Sequence, residues 1–314
     1  MMRRFQRWRL TKVGAHKPRG RGVDKHGAFT VLAIECRMAR GSLHMKTKAL
    51  SGWIVPALIL LIAVMFNPKL GTPLVIGYIV YILWSKRSLL MTHFAVKKYR
   101  QGDMEGALTW YARAAAGRNA KPMVYLSYAL VLLKAGDLDA AEENLASVAE
   151  SELSEYDRNV LTAMGGLLKW KRGNPRRAAV DLKSLADEFK NPTLFGALGS
   201  LYLSEGMLDA ALRHNSEADE IAHDDQIIRD NLARTYYLTG EVEKAEEIFD
   251  DLIDRAVHMP EPYLNKALIL RSRDKTDEAL SVVSRAMQYP YSHLSYFSRE
   301  EIEGIIERIE SAAE

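Results

Sequence analysis

The sequence holds one cysteine, Cys36, in 314 residues. That excludes a disulfide framework and a cysteine-based zinc site, and the chain needs no oxidising compartment. Catalytic signatures are missing too: there is no phosphate-cradling GxxxxGK, no GxSxG elbow, no HExxH and no dinucleotide-binding fingerprint. The expectation is no catalytic residue, no bound metal and no cofactor. Acidic residues are absent from one long stretch, since no Asp or Glu occurs from Cys36 to Gly102. Hydrophobic residues nevertheless make up 48% and charged residues 26%, which excludes a disordered tail, a collagen-like fibre and a polytopic transporter. The length allows one large domain or two ordinary ones.

The net charge of +3 conceals a split. Of 43 Lys/Arg and 40 Asp/Glu, residues 1–48 carry 13 basic residues against Asp24 and Glu35 alone. Such an asymmetry points to a membrane surface or nucleic acid near the basic end. The residues after this arm favour the membrane. Ala49 to Pro68 is twenty residues without a charge, and Leu70 to Ser85 is another sixteen. At about 1.5 Å per residue the first reaches roughly 30 Å, the thickness of a bilayer's hydrocarbon core, and the second about 24 Å. Trp53 and Trp84 stand where aromatic belts form. The connector Asn67-Pro-Lys-Leu-Gly71 is a turn, so the expectation is a transmembrane helical hairpin.

Lys46 and Lys48 precede the hairpin, and Lys86, Arg87, Lys97, Lys98 and Arg100 come after it, against Lys69 in the connector. The positive-inside bias then puts both termini in the cytoplasm. The basic arm at 1–48 suits anionic lipid head groups, at about 1 kcal/mol per basic residue near the surface. It lacks any nucleic-acid reading module, so no nucleic-acid partner is expected. Met45 begins MKTKALSGWIVP, an alternative and more ordinary start for a membrane protein. Cys36 carries a weak hint of lipidation beside the membrane.

Beyond the hairpin a period emerges. Ala107, Ala141, Ala178, Ala211, Ala245 and Ala279 are spaced by 34, 37, 33, 34 and 34 residues. Twelve residues before each lies a second small residue: Ala95, Ala129, Gly166, Gly199, Ala233 and Ala267. Five before each comes a turn position: Gly102, Gly136, Gly173, Gly206 and Gly240, with Asp274 the exception. Each unit is expected to be two antiparallel helices whose backbones approach closely at the small residues. Prolines at 122, 192, 260 and 262 fall near unit boundaries, where a helix can start on proline without losing a bond. No such pair buries its apolar face alone, so the units must stack into a solenoid.

This pattern resembles the tetratricopeptide repeat family over about Ser88 to Tyr291. The resemblance implies an all-α, right-handed superhelical solenoid of about six helix-turn-helix units after the two-helix transmembrane hairpin. The third unit departs: it has three extra residues near 151–156, Gly165-Gly166 inside its first helix and Lys169 at an apolar position, so a looser or kinked junction is expected. Ser298 to Glu301 reads as a capping box opening a final helix with Ile302, Ile305, Ile306 and Ile309 on one stripe. The expected organisation is an arm at 1–48, a hairpin at 49–87, repeats at 88–291 and a capping helix at 292–314.

In this family the first helices line a concave groove. The matching positions here are Leu126, Leu130, Leu133, Val160, Met164, Leu167 and Trp170 at one end. At the other they are Asp230, Asn231, Arg234, Tyr237, Leu264, Asn265 and Arg271. The resemblance implies a peptide or helix of a protein partner held by apolar contacts at one end and polar ones at the other. The family's carboxylate clamp is absent, since its sites hold Thr92, Val96, Leu126 and Leu130; Arg234 with Asn265 remains able to hold an acidic group. The dense run from His214 to Asp225 has its two histidines nine apart, off a common ligand face, and reads as a solvated helix end. The expected role is a membrane-anchored scaffold or adaptor that recruits or braces a protein partner. The alternative is self-association into a membrane-associated lattice.

Overall fold

Left-handed backbone at the turns sets the period. Gly102, Gly136, Gly173, Gly206 and Gly240 all have φ between 65° and 90°, and the exception, Asp274, takes the same conformation at φ 56°. Each ends one helix and lets the next run back beside it. The computed structural model describes residues 56, 58–62, 64–117, 120–148 and 153–312, and among them the regular elements are all helices. The basic arm, Cys36 and nine of the twenty residues of the first expected span (49–55, 57 and 63) lie outside the described residues.

Helix α1 is Pro68–Ser85. Six helix pairs come next: α2 Arg87–Arg100 with α3 Met104–Ala115; α4 Pro122–Ala135 with α5 Leu138–Ala146; α6 Glu155–Lys171 with α7 Pro175–Glu188; α8 Pro192–Ser204 with α9 Leu208–Ala222; α10 Gln226–Thr239 with α11 Val242–Asp254; and α12 Glu261–Ser272 with α13 Thr276–Ala286. The last element, α14, is Arg299–Glu310. Its start is the expected capping box, with Glu301 N–H donating to Ser298 Oγ and Ser298 N–H to Glu301 Oε2. Ile302, Ile305, Ile306 and Ile309 are buried, and α14 packs on α12 and α13.

The small residues sit where size is limiting. The six period-marking alanines are fully buried, as are Ala95, Ala129, Ala233 and Ala267. A methyl group on Gly199 would collide with the Asn215 side chain, and one on Gly166 would stand 2.5 Å from Leu182 Cδ2. The third unit is therefore not loosened by its glycines. Helix α6 runs unbroken from Glu155 to Lys171, and Gly166 is the gap that admits Leu182 of α7.

The transmembrane hairpin is not supported. No single helix among the described residues is long and apolar enough to cross a membrane. The charge-free run from Leu70 ends at Lys86 and Arg87, at a 59° bend into α2; only taken together do the two helices meet the length and apolarity of a span. Much of α1's apolar surface is open, with Leu70 68% and Trp84 67% exposed.

After α13 the chain does not pass straight into its cap. It turns back across the first helices of the pairs. His293 N–H donates to Lys134 O at the end of α4 (2.8 Å), and Lys171 Nζ at the end of α6 makes a long contact with Ser295 O (3.4 Å). Tyr296 reaches α10 and α12 before Ser298 starts α14.

Candidate functional site: a groove filled by its own chain

Helices α10 and α12 present two matched side-chain pairs, Asp230 with Arg234 and Glu261 with Asn265, each four residues apart and so on one face. Arg234 Nη1 donates to Asn265 Oδ1 (2.7 Å), which ties the two helices together. Asn265 Nδ2 donates to its own helix at Glu261 O (3.0 Å) and to Tyr296 Oη (2.7 Å). The Tyr296 hydroxyl in turn donates to Asp230 Oδ2 (2.8 Å). Phe297 lies under the Arg234 guanidinium, 4.7 Å from carbon to ring centroid, with Tyr237 at 5.3 Å and Tyr296 at 5.9 Å. The aromatic pair Tyr296-Phe297 thus has its phenol read by an acid and an amide and its second ring by a cation.

Electrostatics derive from burial. Asp230, Glu261 and Tyr296 are all buried. Desolvation, then the neighbouring Glu261 charge, pushes Asp230 well above the usual carboxylate range, against the Tyr296 hydrogen bond and Arg234. Glu261 is pushed up chiefly by burial, opposed by hydrogen-bonding to Ser295. Burial also raises Tyr296 well above its ordinary value, so the phenol keeps its proton. Lys171, over the Trp170 ring at 3.5 Å, is brought down to about 8 by desolvation.

The residues expected to line the groove divide into three groups. Leu126, Leu130 and Leu133 on α4 and Val160, Met164, Leu167 and Trp170 on α6 are all buried, in one contiguous core that also contains Tyr296 and Phe297. These seven do not offer a free apolar groove, because they are buried within that core. Asn231 is likewise closed off: its Nδ2 donates to Gly196 O (2.8 Å) and its Oδ1 accepts from Ser200 (3.1 Å), which joins α8 to α10. Arg234, Tyr237 and Asn265 are the residues brought together at the site. Arg271 is not; it lies near the end of α12, half-exposed, with Asp274 at 3.6 Å.

Arg234 and Asn265, expected to be able to hold an acidic group, are hydrogen-bonded to each other and hold an aromatic pair of this chain. Tyr296, Phe297, Glu261, Lys134 and Lys171 were not expected at the site. The available signal was the adjacent aromatics in the polar connector Ser292-His-Leu-Ser-Tyr-Phe-Ser298. The 214–225 run needs correction as well. His214 and Asn215 are buried, His214 Nε2 lying 2.9 Å from Phe195 O and Asn215 Nδ2 donating to Thr235 Oγ1 (3.0 Å), whereas His223 with Asp219 lies at the open end of α9.

Two tetratricopeptide repeat family models match residues 122–145 and 228–258, the second and fifth helix pairs. The solenoid is tetratricopeptide-like, and those two pairs carry the match. A TPR repeat-containing protein of Methanocaldococcus jannaschii is 23% identical over 235 residues, covering 68% of this chain and 41% of that protein. The chain therefore spans well under half the length of that relative. A tetratricopeptide repeat protein from Parabacteroides merdae shares the fold at TM-score 0.51 and 14% identity, over 90% of this chain and 98% of that one. A chain of the APC/C hetero-tetramer Cut9-Hcn1 does so at TM-score 0.52 and 12% identity, over 74% of this chain and 45% of its own length. Tetratricopeptide repeats generally mediate protein–protein interaction, and at these identities the likeness of structure speaks for the fold alone.

Proposed function

We propose that this protein is a membrane-tethered adaptor whose tetratricopeptide groove takes an extended segment of a protein partner. Its role is binding, not catalysis. The observation that carries the proposal is Ser292–Ser298: a stretch of chain without helix or strand already lies across the first helices, its side chains held by Asp230, Arg234 and Asn265. A face that fits one irregular segment with satisfied polar contacts is suited to another. The tether is proposed from the apolar run at 49–85, the open surface of α1 and the acid-free stretch flanked by basic residues. By the same basic bias the repeats face the cytoplasm, and the arm at 1–48 meets anionic lipid.

The test is a photoreactive residue in place of Tyr237 in the tagged full chain, with crosslinking in cells, membrane fractionation and mass spectrometry. A membrane-fraction protein carrying one dominant cytosolic adduct is the expected result. Recovery in the soluble fraction would overturn the tether, and adducts confined to the cell exterior would overturn the orientation. The seated segment also favours a second arrangement, exchange of residues 288–298 between copies into a lattice. It would appear as self-adducts and a concentration-dependent mass.

A further inference from the structure

We infer that Asp230, Asn265 and Arg234 form a site that reads an unmodified tyrosine followed by an aromatic residue in a non-helical partner segment, and that Ser295-Tyr296-Phe297 is this chain's built-in competitor for it. The inference rests on the adaptor reading of the groove and adds what the groove selects.

Tyrosine is selected at its hydroxyl. Tyr296 Oη accepts from Asn265 Nδ2 at 2.7 Å and donates to Asp230 Oδ2 at 2.8 Å, so both of its hydrogen-bonding roles are used. Asp230 Oδ1 is buried with no partner, so a phenylalanine in this place would leave the whole carboxyl group unbonded. A site built to bond a hydroxyl discriminates strongly against the analogue lacking it, because its own buried groups then go unpaired. Phosphotyrosine is excluded on two counts. Its bulk and charge of about −1.5 to −2 would meet Asp230, with Glu261 close enough to perturb it, against one guanidinium. The next position is read by shape and charge together, since Arg234 stands over the Phe297 ring at 4.7 Å and another flat ring meets the same cation.

The segment is placed to be exchanged. It joins α13 to α14 as a connector, and its end at α14 is held by that helix's own isoleucine stripe on the sixth pair. Its backbone meets the solenoid at His293 N–H to Lys134 O and, at 3.4 Å, at Ser295 O with Lys171 Nζ; Ser292, His293 and Leu294 are half-buried, and Ser295 to Phe297 are buried. The segment can therefore leave while both flanking helices stay folded. As a tethered ligand it competes at an effective concentration on the order of millimolar. A partner must then offer more than the aromatic pair, or meet a chain whose own pair has been removed.

The experiment uses full-length protein in detergent micelles and a fluorescent synthetic peptide of residues 290–299, followed by anisotropy. The Tyr296→Ala/Phe297→Ala double variant should bind this peptide saturably and at least about tenfold more tightly than wild type. Peptides with phenylalanine or phosphotyrosine at the 296 position should bind it at least about tenfold more weakly than the tyrosine peptide. Adding Arg234→Ala should abolish capture. Circular dichroism reports folding; if the double variant is unfolded, Tyr296→Phe keeps the shape, loses both hydroxyl bonds and should capture the tyrosine peptide above the wild-type level. A folded variant that captures none of the peptides, or all three equally, overturns the inference. The assay involves neither a bilayer nor a cellular partner, so capture in micelles with no adduct at position 237 in cells would sink the adaptor and keep the site. A cellular adduct with no tyrosine preference in micelles would do the reverse.

Discussion

Gly165 and Gly199 both lie inside first helices of repeat pairs, and alanine there should act with opposite sign. At Gly165 a methyl group meets nothing within 4 Å, so only the backbone term operates. Replacing a glycine inside a helix should stabilise by roughly 0.5–1 kcal/mol. At Gly199 the same gain is opposed, because the methyl group would collide with Asn215 and stand 2.8 Å from Asn231 Nδ2. Those two amides hold the fourth pair to the fifth: Asn215 donates to Thr235 Oγ1 (3.0 Å) and Asn231 to Gly196 O (2.8 Å). Overpacking costs about 1–3 kcal/mol, and each buried polar group left unpaired costs about as much again. Net of the backbone gain, Gly199→Ala should destabilise by about 2–5 kcal/mol. Thermal midpoints followed by circular dichroism suit the comparison, at about 2–4 °C per kcal/mol for a domain of this size. Midpoints are compared in preference to extrapolated free energies, because repeat arrays need not unfold in two states. A shift of both variants in the same direction would refute the size limit at the small-residue positions.

Tyr296→Phe should lower stability by about 1–3 kcal/mol, as Asp230 loses its donor, and should speed proteolytic cleavage between α13 and α14; unchanged midpoint and cleavage would contradict the hydroxyl's role. Asp230 and Glu261 are raised in the folded state, so folded protein binds more protons than unfolded; their stabilisation is complete below the ordinary carboxylate range and is lost as pH rises through the raised values. The unfolding midpoint should accordingly fall as pH rises from the ordinary carboxylate range, and Asp230→Asn should flatten that fall. Lys171, lowered to about 8, acts the other way, its contribution being complete above its ordinary value and lost as pH falls through about 8; Lys171→Met should remove a rise in midpoint above that pH. Leu167→Glu should unfold the neighbouring pairs, seen as lost helicity, whereas Arg271→Ala should stay within about 0.5 kcal/mol of wild type.

The repeat was legible because backbone approach limits side-chain size. Where paired backbones come closest, the residue is alanine or glycine, and that constraint survives in the sequence as a period. The turns were legible for an equally local reason, since a left-handed residue is cheapest as glycine. The cap was legible in Ser298 and Glu301 together with the isoleucine stripe. The state of the groove was not. Leu126, Leu130 and Leu167 occupy positions expected to line an open groove, yet they are buried in one core that also holds Tyr296 and Phe297 of the returning segment. The path of that segment is fixed by partners far away in sequence, such as Lys134 for His293 and Asp230 for Tyr296, and no local pattern encodes them. The buried face of α9 could have been read, because Ala211, His214, Asn215 and Ala218 fall at helical spacing and form one stripe. At α1 the apolar run was plain, but the helix bends where Lys86 and Arg87 interrupt it.

Everything proposed for the groove depends on residues 288–298 occupying it as a ligand would. Hydrogen exchange on the full-length protein, resolved to peptides covering this segment, reads that occupancy without a partner or a label. The His293 amide, bonded to Lys134 O, and the neighbouring amides through Phe297 should exchange as slowly as the first helices, and should become fast in Tyr296→Ala/Phe297→Ala while α14 stays protected. Exchange of the wild-type segment at the rate of a free loop would show that the groove stands open.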